Sequence, residues 1–192
     1  MGSRSGVLEL AVLGLLHETP MHGYELRKRV NAQFGWGRVL SFGSLYPCLK
    51  TMLRKGLITA ESGSSDAGRR QKIVYTITAE GKDHFAEAMH DAGPSAWEDD
   101  TFGVRFSFFS RTDPATRLRI LEGRRARMEE RLANVRAAMS RTAERVDAYT
   151  LELQRHGLES AEREVRWLSE LIDGERRKAA PEPPAVPPVS PT

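Results

Sequence analysis

The sequence predicts a mainly α-helical fold with one small β-hairpin. Three segments near the N-terminus carry apolar residues at helical spacing, and two short stretches rich in strand-forming residues follow them. A fourth helical segment comes next, so the predicted order is helix, helix, helix, hairpin, helix. This is the order of a winged helix-turn-helix domain. Beyond about residue 96 the chain changes to long, densely charged helical patterns, which predict a separate helical domain.

The first two helices are marked by their apolar residues. Residues 7–17 are apolar on nearly every side, which indicates a helix that is buried all round. Pro20 breaks this run, and the second helix is expected to start near His22. Its inward face is predicted to carry three apolar residues spaced four apart, Leu26, Val30 and Phe34.

The third helix is expected to start after Ser44, whose side chain can cap it, and to stop at Gly56. This start places Pro47 in the first turn, where proline loses no hydrogen bond. Cys48 lies beside the inward face and is expected to be a small core residue rather than a reactive thiol. The inward face itself is predicted to carry Leu45, Leu49 and Leu53.

The hairpin is predicted from residues 57–62 and 72–78, where strand-forming residues are frequent. The tip between them is rich in Gly and Ser and ends in arginines. Thr78 can cap the fourth helix, which is expected to run to about Met89.

The second domain is expected after a segment of small residues at 92–95. Asp113-Pro114 is a strong start signal for a long helix, and Gly157 is expected to divide that helical run from the last helix. A shorter stripe precedes the long helix, consisting of Phe102, Phe106 and Phe109.

The predicted domains are residues 1–91, the winged helix-turn-helix domain, residues 96–178, a helical dimerisation domain, and residues 179–192, a disordered tail rich in proline. The long helices are too thin to contain a core of their own. Their apolar stripes must be buried on one another or on a partner chain, so we expect a homodimer.

Composition narrows the class of protein. Of the 192 residues, 40% are hydrophobic and 29% are charged, which is the balance of a globular protein. No apolar run is long enough to span a membrane, and the first residues do not resemble a secretory signal, so we expect a cytoplasmic protein. Residues 1–90 hold 12 Lys and Arg against 8 Asp and Glu, so this half is the better match for a polyanion.

No catalytic or metal-binding pattern stands out. The glycine motifs that bind phosphate are absent, and a single cysteine excludes an internal disulfide. Pro20 separates His17 from His22, so the two cannot share one helix face as zinc ligands do. We expect no enzymatic activity, no metal and no cofactor.

The outward face of the third helix carries Tyr46, Lys50 and Arg54 at successive turns. Helices that bind DNA present such a face, because Lys and Arg contact phosphates and Tyr contacts phosphates or base edges. An ordinary solvated face would show the same pattern. The hairpin tip favours DNA, since a cationic loop can enter a minor groove, with an ordinary soluble loop as the alternative. The cations of this wing are Arg69, Arg70 and Lys72.

Three segments that follow one another along the chain carry the pattern of a known family. They are MHGYEL at 21–26, SFGSLYPCLKTMLRKGLI at 41–58 and GRRQKIVYTITAEG at 68–81. Together they resemble the PadR-like family of winged-helix transcriptional regulators. Phe42 stands where the family often has proline, which leaves the entry to the third helix less rigid.

The resemblance implies a dimeric regulator, usually a repressor, that binds a palindromic operator in double-stranded DNA. It also implies which residues face the DNA. On the helices these are Tyr24, Ser41, Ser44, Tyr46, Pro47 and Lys50, and on the wing they are Arg69, Arg70 and Lys72.

The family further implies a small-molecule effector that releases the DNA, often a planar aromatic compound. Candidate aromatic residues for its site are Trp97, Phe102, Phe106 and Trp167, with burial in a core or dimer interface as the competing interpretation. An anionic nucleotide held by Arg124, Arg125 and Arg127 is a second hypothesis, set against a solvated helix face. The competing function is a protein-interaction adaptor whose winged helix has no specific DNA binding.

Overall fold

The computed structural model describes residues 4–34, 44–62, 73–142 and 147–179. Helices predominate and the strands form one antiparallel sheet, so the predicted fold class is confirmed. The helices are α1 (Arg4–Glu18), α2 (Gly23–Phe34), α3 (Leu45–Arg54), α4 (Ala79–His90), α5 (Asp99–Ser107), α6 (Pro114–Thr142) and α7 (Ala148–Ala179). The strands are β1 (Met21–His22), β2 (Ile58–Ser62) and β3 (Ile73–Ile77).

Helix α1 lies at the centre of the winged-helix core. Every residue from 7 to 16 is buried, as the all-round apolar pattern predicts. Gly14 lets the ring of Phe108 approach the helix backbone, since a Cβ at this glycine would lie 2.2 Å from the ring Cζ. Glu9 is the one charged residue in the run, and it is buried too.

The sheet has three strands where the sequence predicts a two-stranded hairpin. β2 and β3 pair with Ile58 opposite Ile77 and Ala60 opposite Tyr75. β1 pairs with the other edge of β3, placing Met21 opposite Tyr75. A strand of two residues is too short to show alternation in its sequence, which is why no pattern predicts β1. The wing tip at 63–72 lies outside the described residues.

The inward face of α3 differs from the predicted one at its last position. Leu53 is 37% exposed, so the prediction that it is an inward residue is wrong. Residues four apart rotate by about 40° around a helix at each step, and after two steps Leu53 has left the buried face. The residues buried on α3 are Leu45, Cys48, Leu49 and Met52.

The signals that end α3 and start α4 are confirmed. Gly56 has a φ of +73°, the left-handed conformation in which glycine terminates a helix. Thr78 caps α4, because its Oγ1 accepts a hydrogen bond from the Gly81 N–H at 3.0 Å. Gly81 itself packs closely on the chain that leads into β2, where a Cβ would lie 2.0 Å from the Leu57 carbonyl oxygen.

After α4, the aromatic row follows the predicted spacing. The ring of Phe106 lies 5.8 Å from that of Phe102 and 5.1 Å from that of Phe109, measured between centroids. Phe108, which is outside this row, is a core residue, because it is only 1% exposed and packs edge-on against Phe85. It lies between the end of α5 at Ser107 and a short 3-10 helix.

Two buried arginines, which periodicity does not predict, hold this segment together. Arg105 is 5% exposed and donates to the carbonyl oxygens of Ala88 at 2.5 Å and Asp91 at 2.7 Å, at the end of α4. Burial lowers the pKa of Arg105, although Asp91 nearby opposes that shift. Arg124 donates to the Trp97 carbonyl oxygen at 2.7 Å and to the Asp99 carboxylate at 2.6 Å.

The two long helices begin where polar caps allow. Asp113 Oδ1 accepts a hydrogen bond from the Thr116 N–H at 2.9 Å, which confirms the predicted start of α6. The prediction that Gly157 breaks the last helical run is wrong, because α7 continues through it. Glycine costs a helix only about 1 kcal/mol relative to alanine, which a helix of this length tolerates. Arg136 and Glu162 join α6 to α7 through an ion pair of 2.6 Å.

The chain forms two compact units, Met1–Arg124 and Arg125–Thr192. The first unit extends beyond the winged helix because α5 packs on α1. The predicted domain boundary between residues 91 and 96 stays a prediction, and the tail at 180–192 lies outside the described residues. Among the described helices, none is both long and apolar enough to cross a membrane.

Candidate nucleic-acid interface

Helix α3 presents a polar face opposite the one it buries. Tyr46, Pro47, Lys50 and Arg54 are all exposed, and Tyr46 keeps 54% of its surface. The outward orientation predicted for Tyr46, Lys50 and Arg54 is therefore confirmed. No acidic side chain in the described part of the chain pairs with Lys50, so its charge is not neutralised there.

The start of α2 lies beside this face. Gly23 is buried, and a Cβ on it would lie 3.6 Å from a ring carbon of Tyr46 and 3.3 Å from one of Tyr75. The absence of a side chain at Gly23 therefore lets α2 begin close to α3. Tyr24 follows at 68% exposure, with the guanidinium of Arg27 5.4 Å from its ring centroid. The exposed Tyr24 therefore comes directly after the residue at which α2 approaches Tyr46.

Tyr75 lies close to Gly23 at the start of α2 and near Tyr46. It is 7% exposed in β3, and burial raises its pKa, with the nearby Tyr46 adding to the shift. Tyr75 therefore stays a neutral phenol at physiological pH.

Ser44 occupies the N-cap position of α3, but its side chain makes no capping hydrogen bond. Its φ of −93° and ψ of −23° are already helical, whereas a capping serine needs an extended backbone. The prediction that its side chain caps α3 is therefore wrong. Four predicted DNA contacts, Ser41, Arg69, Arg70 and Lys72, lie outside the described residues.

A buried carboxylate that sequence patterns miss connects α3 to two other helices. Glu9 on α1 is 8% exposed, and its Oε2 accepts a hydrogen bond from Lys55 Nζ at 2.9 Å. Its Oε1 lies 3.0 Å from Nε2 of His84 on α4. Lys55 is the C-cap residue of α3, so this network ties the end of α3 to α1 and α4. A single Glu inside an apolar run was its only sequence signal.

A cleft of about 220 Å³ opens beside Glu9. Its apolar wall comes from α1 and α4, and its polar side chains include Glu9, His84 and Arg105. None of the four aromatic residues predicted for an effector site lines it.

Those aromatic candidates have packing roles instead. Trp97 covers Gly123, where a Cβ would lie 2.1 Å from the indole ring. Phe102 is buried beneath the guanidinium of Arg124, which lies 5.2 Å from the ring centroid, and stacks on Phe106. Trp167 belongs to the second unit and is 40% exposed. An effector role for these residues stays a prediction.

The nucleotide hypothesis is weakened at Arg124. This side chain is 5% exposed and already donates to Trp97 and Asp99, so it is not presented to a ligand. Arg125 pairs with Glu129 at 3.6 Å, and Arg127 is exposed.

Comparison with known proteins identifies the fold's relatives. Residues 12–87, which contain α2, α3 and the sheet, match the model of the transcriptional regulator PadR-like family. This segment is therefore similar to the PadR-like family. A second model, named virulence activator alpha C-term, matches residues 100–174.

One curated relative carries the same family name. The negative transcriptional regulator PadR of Bacillus subtilis is 29% identical over 85 residues, which are 44% of this chain and 44% of that protein. The match thus spans less than half of that relative's length.

Solved structures include Bacillus subtilis PadR in complex with operator DNA, at 20% identity and a TM-score of 0.42, covering 88% of this chain and 99% of that one. Another is a transcriptional regulator from Thermoplasma acidophilum, at 38% identity and a TM-score of 0.38, covering 43% and 77%.

Proposed function

We propose that this PadR-like chain is a dimeric, sequence-specific DNA-binding regulator without catalytic activity, and that it represses transcription until a small molecule releases it. The outward face of α3 carries the proposal. Tyr46, Lys50 and Arg54 are exposed at successive turns, while the other side of α3 is buried in the core. A rigid helix with this face can enter a major groove, where lysine and arginine contact phosphates or guanine and tyrosine contacts the groove edge.

The site residues have unequal roles in this proposal. Tyr46 and Lys50 lie in the first half of α3, where they contact base edges or phosphates. Tyr24 and Pro47 flank them on the same exposed surface. Ser41, Ser44 and the wing cations Arg69, Arg70 and Lys72 complete the phosphate contacts. A regulator of this kind meets DNA in the cytoplasm, which is the location we propose.

Dimerisation is supported by an exposed apolar face on α7. Tyr149 is 89% exposed and Leu153 is 71% exposed, and they lie one turn apart. Trp167 follows Tyr149 by 18 residues, which is five turns of 3.6, so all three share one face. Leu168 and Ile172 are fully buried on a different side of α7. A second copy that covers the exposed face would place two α3 helices on a palindromic site, about 34 Å apart.

Repression and release by an effector rest on the relatives. The Bacillus subtilis relative is named a negative transcriptional regulator. Its structures include one with operator DNA and one with p-coumaric acid. We propose the same regulatory role for this chain, but we do not propose p-coumaric acid as its ligand.

The test is selection of DNA from a random library, followed by titration of the selected sequence against a scrambled one. A dimer that makes about six phosphate contacts should lose roughly a thousandfold in affinity between 50 and 200 mM salt. Selective binding with that salt dependence and two chains per site supports the proposal. Recovery of no preferred sequence, with no salt-dependent binding, overturns it in favour of the adaptor function.

A further inference from the structure

We propose that His22 is a positioning residue for DNA binding, because its imidazole ring holds the outer end of the β2–β3 hairpin beside the start of α2. The hydrogen bond that does this is a property of the fold alone. Its consequence for DNA rests on the proposed function, in which the wing and the start of α2 both contact the duplex.

The outer end of the hairpin is not anchored by apolar burial. In β2 only Ile58 is buried, and the four residues that follow it are exposed. In β3 the buried residues are Tyr75 and Ile77, whereas Ile73 keeps 43% of its surface exposed. Burial therefore stabilises the base of the hairpin, and a polar contact at Ile73 has a large effect on where the outer end lies.

The side chain of His22 makes a contact of this kind. β1 ends at His22, which pairs with Val74, and the chain turns into α2 at Gly23. The ring extends the pairing by one residue toward the wing tip, because its Nδ1 lies 3.3 Å from the carbonyl oxygen of Ile73. A carbonyl oxygen only accepts hydrogen bonds, so Nδ1 must carry the hydrogen and donate it. The neutral ring is therefore the Nδ1–H tautomer.

The residues after His22 connect this hydrogen bond to the exposed surface of α2. Gly23 follows directly, and a Cβ on it would lie 3.3 Å from a ring carbon of Tyr75 in β3. The exposed Tyr24 comes next. Only one residue separates Tyr24 from His22, so a ring that holds Ile73 also fixes this tyrosine relative to the strand that leaves the wing tip. A DNA duplex that contacts both then meets them in one arrangement.

The first test detects the hydrogen on the ring directly. In proton–nitrogen correlation spectra of the full chain, the neutral ring of His22 should be the Nδ1–H tautomer, because the carbonyl oxygen of Ile73 needs a donor. A ring without this partner is free to adopt the Nε2–H tautomer. Finding the Nε2–H tautomer would show that the ring does not donate to Ile73, and it would overturn the proposal.

Asparagine and glutamine form a matched pair of replacements at this position. The amide nitrogen of asparagine is as many bonds from Cβ as Nδ1 of histidine, whereas that of glutamine corresponds to Nε2. His22→Asn should therefore keep the affinity for the selected DNA within about twofold, and His22→Gln should weaken it by about threefold to tenfold, the effect of one lost hydrogen bond. Equal affinities of the two variants, whether both are weakened or both unchanged, would contradict the positioning role.

A double-mutant cycle distinguishes this role from a general loss of stability. The second change is Arg69→Ala together with Arg70→Ala, which removes two wing cations. In that background His22→Gln should weaken DNA binding by less than about twofold, because the residue acts through the wing. The same loss with and without the two arginines would mean that His22 acts elsewhere, and the proposal would be wrong.

The positioning role and the proposed function fail in different ways. If the chain binds its selected sequence and His22→Gln binds it equally well, the positioning role is wrong and the proposed function stands. If the chain binds no DNA, both are wrong, and the spectra still decide whether His22 donates to Ile73.

Discussion

Lys50 is exposed because α3 turns Leu45, Leu49 and Met52 toward the core, and the helix thereby points this lysine away from the protein. If it grips a phosphate, Lys50→Ala should weaken binding to all DNA sequences alike. In a dimer it should also reduce the slope of log affinity against log salt by about two. The measurement is fluorescence anisotropy at several salt concentrations.

Lys82 on α4 supplies the control for that experiment. It is also an exposed lysine in the first unit, but it lies on a different helix. Lys82→Ala should leave the salt slope as it is. An unchanged slope in Lys50→Ala, or the same change in both variants, would show that the outward face of α3 is not the DNA-binding face.

Cys48 lies on the buried side of α3, and its burial determines how readily its thiol reacts. It is 6% exposed, with its Sγ 3.7 Å from the sulfur of Met52. Burial and, to a smaller extent, the charge of Glu9 raise its pKa from 9.0 to about 11, although Lys55 opposes the shift. At pH 8 only about one thiol in a thousand would be a thiolate, against about one in ten at the ordinary pKa. Iodoacetamide should therefore modify the folded chain at least a hundredfold more slowly than the chain in urea. Rapid modification without denaturant would mean that α3 opens readily.

Glycines at two places in helices should respond in opposite directions to the same substitution. Gly81→Ala would put a Cβ 2.0 Å from the Leu57 carbonyl oxygen, so α4 must shift, at a cost of about 1–3 kcal/mol in the free energy of unfolding. Gly157 has open space around it within α7, so Gly157→Ala should stabilise the chain by about 0.5–1 kcal/mol. Urea titrations of both variants measure the difference. A stabilising Gly81→Ala would contradict the close packing of α4 on the chain leading into β2.

At the level of elements, the sequence predicts what depends on neighbours along the chain. The periodicity of Leu26, Val30 and Phe34 places α2, and Thr78 and Asp113 mark helix starts, because a cap acts within three residues. Two features were missed for different reasons. β1 exists only because β3 offers an edge for it. Leu53 is exposed because two steps of four residues carry it off the buried face of α3.

For the whole molecule, the exposed face of α7 makes the oligomeric state testable. Replacing both Tyr149 and Leu153 by Gln should raise the dissociation constant of the dimer by about tenfold or more, because each buried apolar side chain contributes about 1.5–3 kcal/mol. Arg155→Gln, an exposed position of α7 that points away from this face, is the matched control. Sedimentation equilibrium measures both. Equal dissociation constants for the two variants would exclude this face from the dimer contact.

One part of the candidate site can be predicted from the sequence, and the other part depends on the tertiary structure. The outward residues of α3 follow from periodicity, because the face opposite an apolar stripe is fixed by helix geometry alone. The nearness of Tyr24 to Tyr46 does not follow, since it depends on how closely α2 approaches α3 at Gly23. Glu9, Lys55 and His84 are far apart in sequence, and each by itself is an ordinary residue type.

The sequence by itself determined the order of elements, the resemblance to the PadR-like family and the polar face of α3, because these depend on spacing and on short motifs. Only the tertiary structure decided which charges are buried and what they join. Glu9, Arg105 and Arg124 lie at positions that a hydropathy pattern assigns to solvent or leaves unexplained, and each is bound by residues at least 14 positions away in the sequence. A buried charge is stable only when its partners are in place, and those partners meet only when the helices have packed.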